Sequence, residues 1–359
     1  MKRPSHLFRA LLIIIFALLL GACATRPLQT GEPSPPPPPG SVLKSVQLDQ
    51  ALEDRLLALD PDHISGKEVR DTLSKAPAPH IVSLHGGLYP ANYLTMTSFA
   101  EFLISMGYPE ARIRRSDGVL DSLYSYSPYQ DSREVAGLIA WYYERDGLRP
   151  MMVGHSQGGV QAVKILYDLA GASGADIHIW NPVADVAEDR TTIMDPLTGV
   201  ERPVVGMTVP YVSAVGAGGA ALLLPNQWSM VHRLRTIPDS VEDFTGFTIS
   251  VDLVAMDFPG ARGASEFHHN GKAQVRNVVL PSGYNHAFVP VTRELAANKA
   301  MRHWLNAYVP DGKGQTETLP PGPNDNALWA ADVWFSIKKH WCIEVQRLIR
   351  AKRALVAAQ

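Results

Sequence analysis

Short apolar runs alternate with longer amphipathic stretches over most of the chain. Each run has the length of a strand that is buried on both faces. Such strands are predicted over 81–84, 151–153, 177–180, 247–251 and 275–280. The stretches between them carry apolar residues at helical spacing, and they predict helices over 93–107, 132–146, 158–169 and 292–308. Because strands that alternate with helices form mostly parallel sheets with both faces covered, the pattern predicts an α/β fold.

The segment 185–244 interrupts this alternation. It is irregular, rich in glycine and apolar residues, and too long for a plain connection, so we expect an inserted cap or lid. Within it, residues 204–224 carry apolar side chains with Gly216, Gly218 and Gly219 between them. This pattern fits either an apolar acyl-binding cap that its glycines allow to move, or a pair of core strands joined by a glycine turn.

A basic helix is predicted close to the C-terminus, over 326–357. Within this segment, Asp332 and Glu344 are the only acids that oppose its lysine and arginine residues in charge. Its apolar side chains form a stripe. Such a helix either lies on an anionic membrane surface or docks on the protein, with cations near the end where the helix dipole favours positive charge. Both interpretations are open at this point.

The first residues are typical of an export signal. A basic start precedes an apolar run over 10–20, which is too short to span a bilayer and has the length of a signal-peptide core. The run ends in the residues Leu-Gly-Ala before Cys23, which resemble the lipobox of bacterial lipoproteins. This resemblance implies that residues 1–22 are removed and that Cys23 carries lipid at the mature N-terminus.

The residues after the cysteine predict location and reach. By the same resemblance, Ala24 in place of aspartate implies sorting to the outer membrane of the bacterial cell envelope, facing the periplasm. Residues 23–40 include a run of five prolines, which predicts an extended tether of roughly 40–50 Å. The folded domain is expected over 41–359.

Composition narrows the class of protein. The chain has 359 residues, 46% of them hydrophobic, and a formal net charge of −2, which excludes a disordered chain and argues against a nucleic-acid binder. Its 2 cysteines exclude a disulfide-stapled scaffold and a multi-cysteine metal site. His268 and His269 are adjacent in a polar segment, which fits a solvated loop better than a metal site.

The strongest chemical motif is Gly-His-Ser-Gln-Gly around Ser156. It follows the predicted strand over 151–153 and precedes the predicted helix over 158–169. This is the strand–turn–helix context of a nucleophile elbow, where a serine on a strained turn needs small residues on either side. The start of the helix also stabilises developing negative charge. The motif therefore predicts that Ser156 is a nucleophile.

With this motif the chain resembles the α/β-hydrolase superfamily, and within it the lipases and esterases, over residues 78–308. The resemblance implies an α/β-hydrolase fold and an oxyanion hole. Half of that hole would come from the backbone N–H of Gly87, alone or together with that of Leu88, because the His-Gly-Gly motif at 85–87 ends a strand upstream of the serine. The other half would come from the backbone N–H of Gln157. The resemblance implies no metal ion and no organic cofactor.

The superfamily carries an acid and then a histidine after its serine. His286 follows the last predicted strand and is the expected base. The acid is less determined. Asp252 lies at a strand end in a region similar to the acid region of class 3 lipases, although Ala255 stands where that family has proline. Asp257 is the main alternative, and Asp185 is a third candidate.

Together these features predict a membrane-anchored serine hydrolase that cleaves carboxylic esters, acyl or lipid esters above all, through an acyl-enzyme. The expected partners are a small-molecule or lipid ester and, through the lipid on Cys23, a membrane. The nucleophile elbow and the predicted triad of serine, histidine and acid fit a thioesterase, amidase or acyltransferase equally well. An alternative of a different class is a non-catalytic envelope-binding lipoprotein on a hydrolase scaffold.

Overall fold

A five-stranded parallel sheet forms the centre of the protein. In the computed structural model, the described residues are 30–31, 35–38, 40–116, 123–256, 265–281, 283–310 and 326–358. The strands of the sheet are β1 (Ile81–Leu84), β2 (Met151–His155), β3 (Val209–Val215), β4 (Val241–Ile249) and β5 (Gln274–Leu280). Each strand pairs in parallel with its neighbour in the chain, so the spatial order is β1-β2-β3-β4-β5. The predicted α/β fold is confirmed.

Five longer helices flank the sheet. They are α1 (Ala91–Met106), α2 (Ser132–Asp146), α3 (Gln157–Leu169), α4 (Lys299–Ala307) and α5 (Ala327–Ala357). Shorter helical turns lie at Ser41–Ser45, Gln50–Leu57, Gly66–Asp71, Leu73–Lys75, Glu110–Arg112, Gly219–Leu223, Pro225–Met230 and Arg293–Ala296. Short strands outside the sheet lie at Thr30–Gly31, Trp180–Asn181, Val186–Glu188, Thr192–Met194, Glu201–Pro203, Thr236–Ile237 and His268–His269. The architecture is consistent with an α/β-hydrolase-like fold.

The two faces of the sheet carry separate hydrophobic cores. Along β2, Met152 packs with α2 and α3 on one face, whereas Met151 and Val153 pack with α1 and α5 on the other. This alternation follows from the two-residue period of a strand. Because both faces are covered, every residue of β2 is buried, which is why the strand appears in the sequence as a continuous apolar run.

The C-terminal helix α5 lies in the core for most of its length. Trp329, Trp334 and Trp341 are fully buried on it. Its buried carboxylates find cations elsewhere in the chain: Glu344 accepts hydrogen bonds from Arg149, and Asp332 pairs with Arg276 at 2.5 Å. The apolar stripe is therefore packed against the sheet and is not presented to a membrane.

The basic residues of α5 are also paired through the fold. Lys352 and Arg353 contact Glu53 in the N-terminal helix Gln50–Leu57, and Lys339 lies 3.1 Å from Asp62. These three cations are therefore compensated by acids from distant parts of the chain, whereas Lys338 donates to the backbone carbonyl oxygens of Ile64 and Asn306. Within the described ranges, none of the helices combines the length and apolar character needed to cross a membrane.

The structure departs from the predicted cap over 185–244. Residues Val209–Val215 form the central strand β3, and β4 begins at Val241, so these parts belong to the sheet. Neither alternative for 204–224 holds in full: Val209–Val215 is a single core strand, and the glycines after it lead into the helical turn Gly219–Leu223 and not into a second strand. A strand buried on both faces has the same continuous apolar pattern as a buried cap, which is why the pattern did not separate them.

Part of the predicted tether lies against the domain. Thr30 and Gly31 pair in parallel with Ala187 and Glu188, so this portion is not a free spacer. Cys23 and the predicted signal peptide over 1–22 lie outside the described residues, and their roles stay predictions.

Candidate active site

Ser156 occupies the sharp turn between β2 and α3. Its backbone has φ 55° and ψ −123°, a conformation that is strained for a residue with a Cβ atom. Its N–H donates to the carbonyl oxygen of Val215 at the end of β3, at 2.8 Å, which ties the turn to the neighbouring strand. Strain of this kind persists only where the surrounding structure enforces it.

The glycines around Ser156 are required by close backbone contacts. A Cβ atom on Gly154 would lie 2.5 Å from the carbonyl oxygen of Gly158, and one on Gly158 would collide with the carbonyl oxygen of Leu84. A Cβ on Gly159 would lie 2.9 Å from Ala217 Cβ. The turn therefore admits no side chain two residues before or after the serine, as the motif predicts.

The structure brings Ser156, His286 and Asp252 together in one hydrogen-bonded series. Ser156 Oγ lies 2.8 Å from His286 Nε2, and His286 Nδ1 lies 2.6 Å from Asp252 Oδ2. The serine is 9% exposed and Asp252 3% exposed, so the series lies at the bottom of a cleft. A hydroxyl, an imidazole and a carboxylate in this order can transfer a proton from the hydroxyl to the imidazole.

Asp252 is held in place by the loop that follows β4. Its Oδ1 accepts hydrogen bonds from the backbone N–H groups of Val254 and Ala255, each at 2.9 Å. Burial by itself would raise the pKa of Asp252, but the hydrogen bonds from His286 and these two N–H groups hold the pKa below its ordinary value. The carboxylate is therefore the charged partner that an imidazolium on His286 requires.

The other two candidate acids have different positions. Asp185 is exposed between the antiparallel short strands Trp180–Asn181 and Val186–Glu188, outside the central sheet. Asp257 lies outside the described residues. Of the described candidates, Asp252 is the one that contacts His286.

Gly216 lies next to the candidate triad, whereas its sequence pattern fitted either a mobile cap or a glycine turn between core strands. It directly follows β3 with φ 61°, which favours glycine. A Cβ atom there would lie 2.9 Å from His286 Cε1 and 3.0 Å from His286 Nδ1. Glycine at this position therefore leaves room for the imidazole beside Asp252. Once 209–215 is known to be a strand, its place at the carboxyl end of the sheet is the signal that identifies it.

His155 supports the backbone of His286. Its Nε2 donates to the carbonyl oxygen of His286 at 2.7 Å, and its Nδ1 is buried without a hydrogen-bond partner among the described residues. Burial, with a smaller contribution from the nearby imidazole of His286, lowers the pKa of His155 to about 3. His155 is therefore neutral at physiological pH. In the sequence, its position next to Ser156 indicates only that its ring cannot reach that serine.

The buried imidazole of His155 predicts an acid-sensitive fold. Its pKa is about 6.5 when unfolded and about 3 when folded, so the unfolded chain binds a proton that the folded protein excludes. The stabilisation is complete above pH 6.5 and is lost as the pH falls towards 3. Between pH 7 and pH 5, wild type is expected to lose about 2 kcal/mol more of its free energy of unfolding than His155→Gln. Urea unfolding at both pH values measures this difference, and equal losses would contradict it.

The predicted oxyanion-hole residues Gly87 and Gln157 both line the cleft beside Ser156. Two side chains orient the glycine peptides that would form the first half of the oxyanion hole. His85 Nδ1 donates to the carbonyl oxygen of Gly86 at 2.7 Å, and the Tyr129 hydroxyl donates to that of Gly87 at 3.2 Å. In a trans peptide the N–H points opposite to the C=O, so the N–H of Gly87 is turned away from His85. Like His155, Tyr129 has no feature in the sequence that identifies it as a residue of the site.

The cleft has a volume of about 440 Å³ and is mainly apolar. One wall comes from Ala220, Ala221 and Leu224, which follow β3, and from the segment 251–254, which follows β4. The surrounding loops expose further large apolar side chains, namely Leu88, Tyr89, Leu223, Leu253, Met256 and Phe288. Thus the part of 204–224 that follows the strand does reach the site.

Metal ligation has no support in the described part of the chain, where no three His, Cys, Asp or Glu side chains are grouped to hold an ion. His268 and His269 form an exposed two-residue strand that pairs with Thr236 and Ile237. The remaining cysteine, Cys342, is buried on α5 as a free thiol, and burial raises its pKa to about 12.

Comparison with known proteins adds little to this geometry. No protein-family model and no curated protein sequence matches the chain. A solved structure described as "RedJ with PEG molecule bound in the active site" is similar at 13% sequence identity, over 78% of this chain and 97% of that chain, with a TM-score of 0.30. A TM-score this low carries no argument about the site.

Proposed function

We propose that the protein is a serine hydrolase that cleaves carboxylic esters with an acyl chain. The observation that carries the proposal is the hydrogen-bonded series of Ser156, His286 and Asp252, with the serine on a strained turn at the start of a helix. A structural serine would need neither the strain nor the buried imidazole and carboxylate behind it. Gly87 and Gln157 supply the N–H groups that the developing oxyanion requires.

The proposed reaction proceeds in two steps. Ser156 Oγ attacks the ester carbonyl carbon while its proton moves to His286 Nε2, and Asp252 stabilises the imidazolium. The bond from the carbonyl carbon to the alcohol oxygen then breaks, and His286 returns the proton to the leaving alcohol. Water, deprotonated by His286, attacks the acyl-enzyme in the same way and releases the carboxylic acid and free serine.

The apolar wall of the cleft supports an acyl group as the bound part of the substrate. The side chains of Leu224 and Val254 offer a surface on which methylene groups are removed from water. At about 440 Å³ the cleft lies near the lower end of the range for ligand pockets, which favours short and medium chains over long ones. The same proposal includes anchoring of the enzyme to the bacterial envelope. This part of the proposal is based on the sequence around Cys23.

The test is hydrolysis of p-nitrophenyl acetate, butyrate, octanoate and palmitate by the full-length protein in detergent. We expect turnover of the esters, with kcat/KM about tenfold higher for butyrate than for acetate, because each buried methylene adds roughly 0.8 kcal/mol. Palmitate should be the poorest of the longer esters. Labelling by a serine-directed phosphonate, followed by mass spectrometry, checks Ser156 directly. A folded protein that turns over none of the esters and takes up no phosphonate would contradict the proposal and favour the non-catalytic binding protein.

A further inference from the structure

Two side-chain amides lie beside Ser156 without a protein partner. Asn92, on the first turn of α1, is 4% exposed and lines the cleft, and its amide makes no hydrogen bond to any described residue. The amide nitrogen of Asn92 and Ser156 Cβ both border the space in which Gly86 lacks a side chain. At the edge of a cleft such a group is hydrogen-bonded by water, or by a ligand that displaces the water.

The second amide belongs to Gln157, whose backbone N–H serves the proposed oxyanion hole. The residue is 2% exposed, and its Nε2 is buried with no partner among the described residues. Its Oε1 lies where a side chain on Gly87 would be, close to the Tyr129 hydroxyl. The two amides lie beside Gly86 and Gly87 and make a polar part of the cleft, which also has the apolar lining residues Leu224 and Val254.

The polar part of the cleft selects an uncharged group. Of the described residues that line the cleft, Asp252 and His286 are the carboxylate and the imidazole, and both belong to the proposed triad. No lysine or arginine among them could pair with a carboxylate or phosphate. An amide offers one acceptor and two donors, which matches a hydroxyl or an amide on the ligand.

Building on the proposed function, we infer that the substrate carries an uncharged hydrogen-bonding group, a hydroxyl or an amide, three or four bonds from the scissile carbonyl carbon, and that Asn92 and Gln157 bind it. The short distance follows from the place of the amides beside Ser156 and Gly86. Such a group can belong to the acyl part, as in a 3-hydroxyacyl ester, or to the alcohol part, as in a glycol or glycerol ester.

Two pairs of esters of matched shape separate these sources. On the acyl side, p-nitrophenyl 3-hydroxybutyrate is compared with p-nitrophenyl 3-methylbutyrate, in which a methyl replaces the hydroxyl. On the alcohol side, 2-hydroxyethyl butyrate is compared with propyl butyrate. Each kcat/KM is divided by the rate constant of alkaline hydrolysis of the same ester, so that intrinsic reactivity does not enter. In one of the two pairs, the wild-type protein is expected to prefer the hydroxylated ester about tenfold.

Asn92→Leu should remove that preference, because leucine has a similar size and no hydrogen-bonding group. Its ratio of hydroxylated to plain ester is expected to fall to about one or below. Gln157→Met, which keeps the backbone N–H, should lower the same ratio and serves if the first variant does not fold. The matched control is Leu224→Ala in the apolar lining, which should reduce kcat/KM for both esters of a pair and leave their ratio unchanged.

The outcomes separate this inference from the proposed function. If the wild-type protein hydrolyses plain esters but shows a ratio near one in both pairs, the polar subsite is refuted and the esterase stands. The subsite is refuted in the same way if Asn92→Leu and Gln157→Met both fold and keep the wild-type ratio. If no ester of either kind is hydrolysed by folded protein, the proposed function itself fails.

Discussion

Replacing Ser156 by alanine is expected to lower kcat for ester hydrolysis about 10⁶-fold, because no acyl-enzyme can then form. The variant should fold like wild type, since the substitution removes one hydroxyl that contacts only His286 in the described structure. The rate is measured with p-nitrophenyl butyrate, and the folded state by circular dichroism. Phosphonate labelling of wild type and its absence in Ser156→Ala would assign the nucleophile independently of turnover.

Ser213→Ala is the matched control for this substitution. Ser213 is fully buried on β3, and its hydroxyl has no hydrogen-bond partner among the described residues. Removing it leaves no group unpaired, so activity is expected to stay close to wild type. An active Ser156→Ala variant that still takes up phosphonate would show that another residue is the nucleophile.

Replacing Asp252 by asparagine is expected to lower kcat about 10⁴-fold. The Oδ1 of residue 252 accepts two backbone N–H groups, so the amide oxygen of asparagine would take that place. The amide NH₂ would then face His286 Nδ1 and donate to it, which moves the ring proton to Nε2. An imidazole with its proton on Nε2 cannot accept the proton of Ser156. The steady-state rate of hydrolysis of p-nitrophenyl butyrate near neutral pH measures the effect.

Asp257→Asn is the control that distinguishes the two candidate acids. We expect it to retain most of the wild-type rate. The reverse pattern, with Asp252→Asn active and Asp257→Asn inactive, would move the acid to Asp257.

Asp252 also makes the stability of the fold depend on pH. Because its pKa is lowered in the folded protein, its contribution to the free energy of unfolding is present above the ordinary pKa of 3.8 and is lost as the pH falls through the folded-state pKa. The stability difference between wild type and Asp252→Asn should therefore shrink below pH 4.

Local sequence patterns were informative where one interaction dominates. The strand β1 and the helix α2 have the predicted bounds, because continuous apolar runs and helical periodicity reflect burial directly. The sharp turn at Ser156 was also predictable, since part of its glycine requirement is local: a Cβ atom on Gly154 would collide with the carbonyl oxygen of Gly158, four residues later. His286 followed from its place after the last strand.

Contacts between distant segments decided the rest. The pattern of Val209–Val215 was compatible with a cap as well as with a central strand, and pairing with β2 and β4 selected the strand. The basic helix α5 carries more cations than acids, and carboxylates from Glu53 and Asp62 pair with its lysines when it docks. Such partners are hundreds of residues away in the chain, and periodicity carries no information about them.

The α/β class and the sharp turn at Ser156 could be predicted from local patterns, and the family resemblance implied the order of serine, acid and histidine. The packing of distant segments brings Asp252 against His286, leaves room for the imidazole at Gly216 and lets His155 hold the backbone of His286. Turn geometry and the spacing of apolar positions are local properties of the chain. A hydrogen bond between side chains depends instead on where separate strands end, and that is known only once the strands have paired.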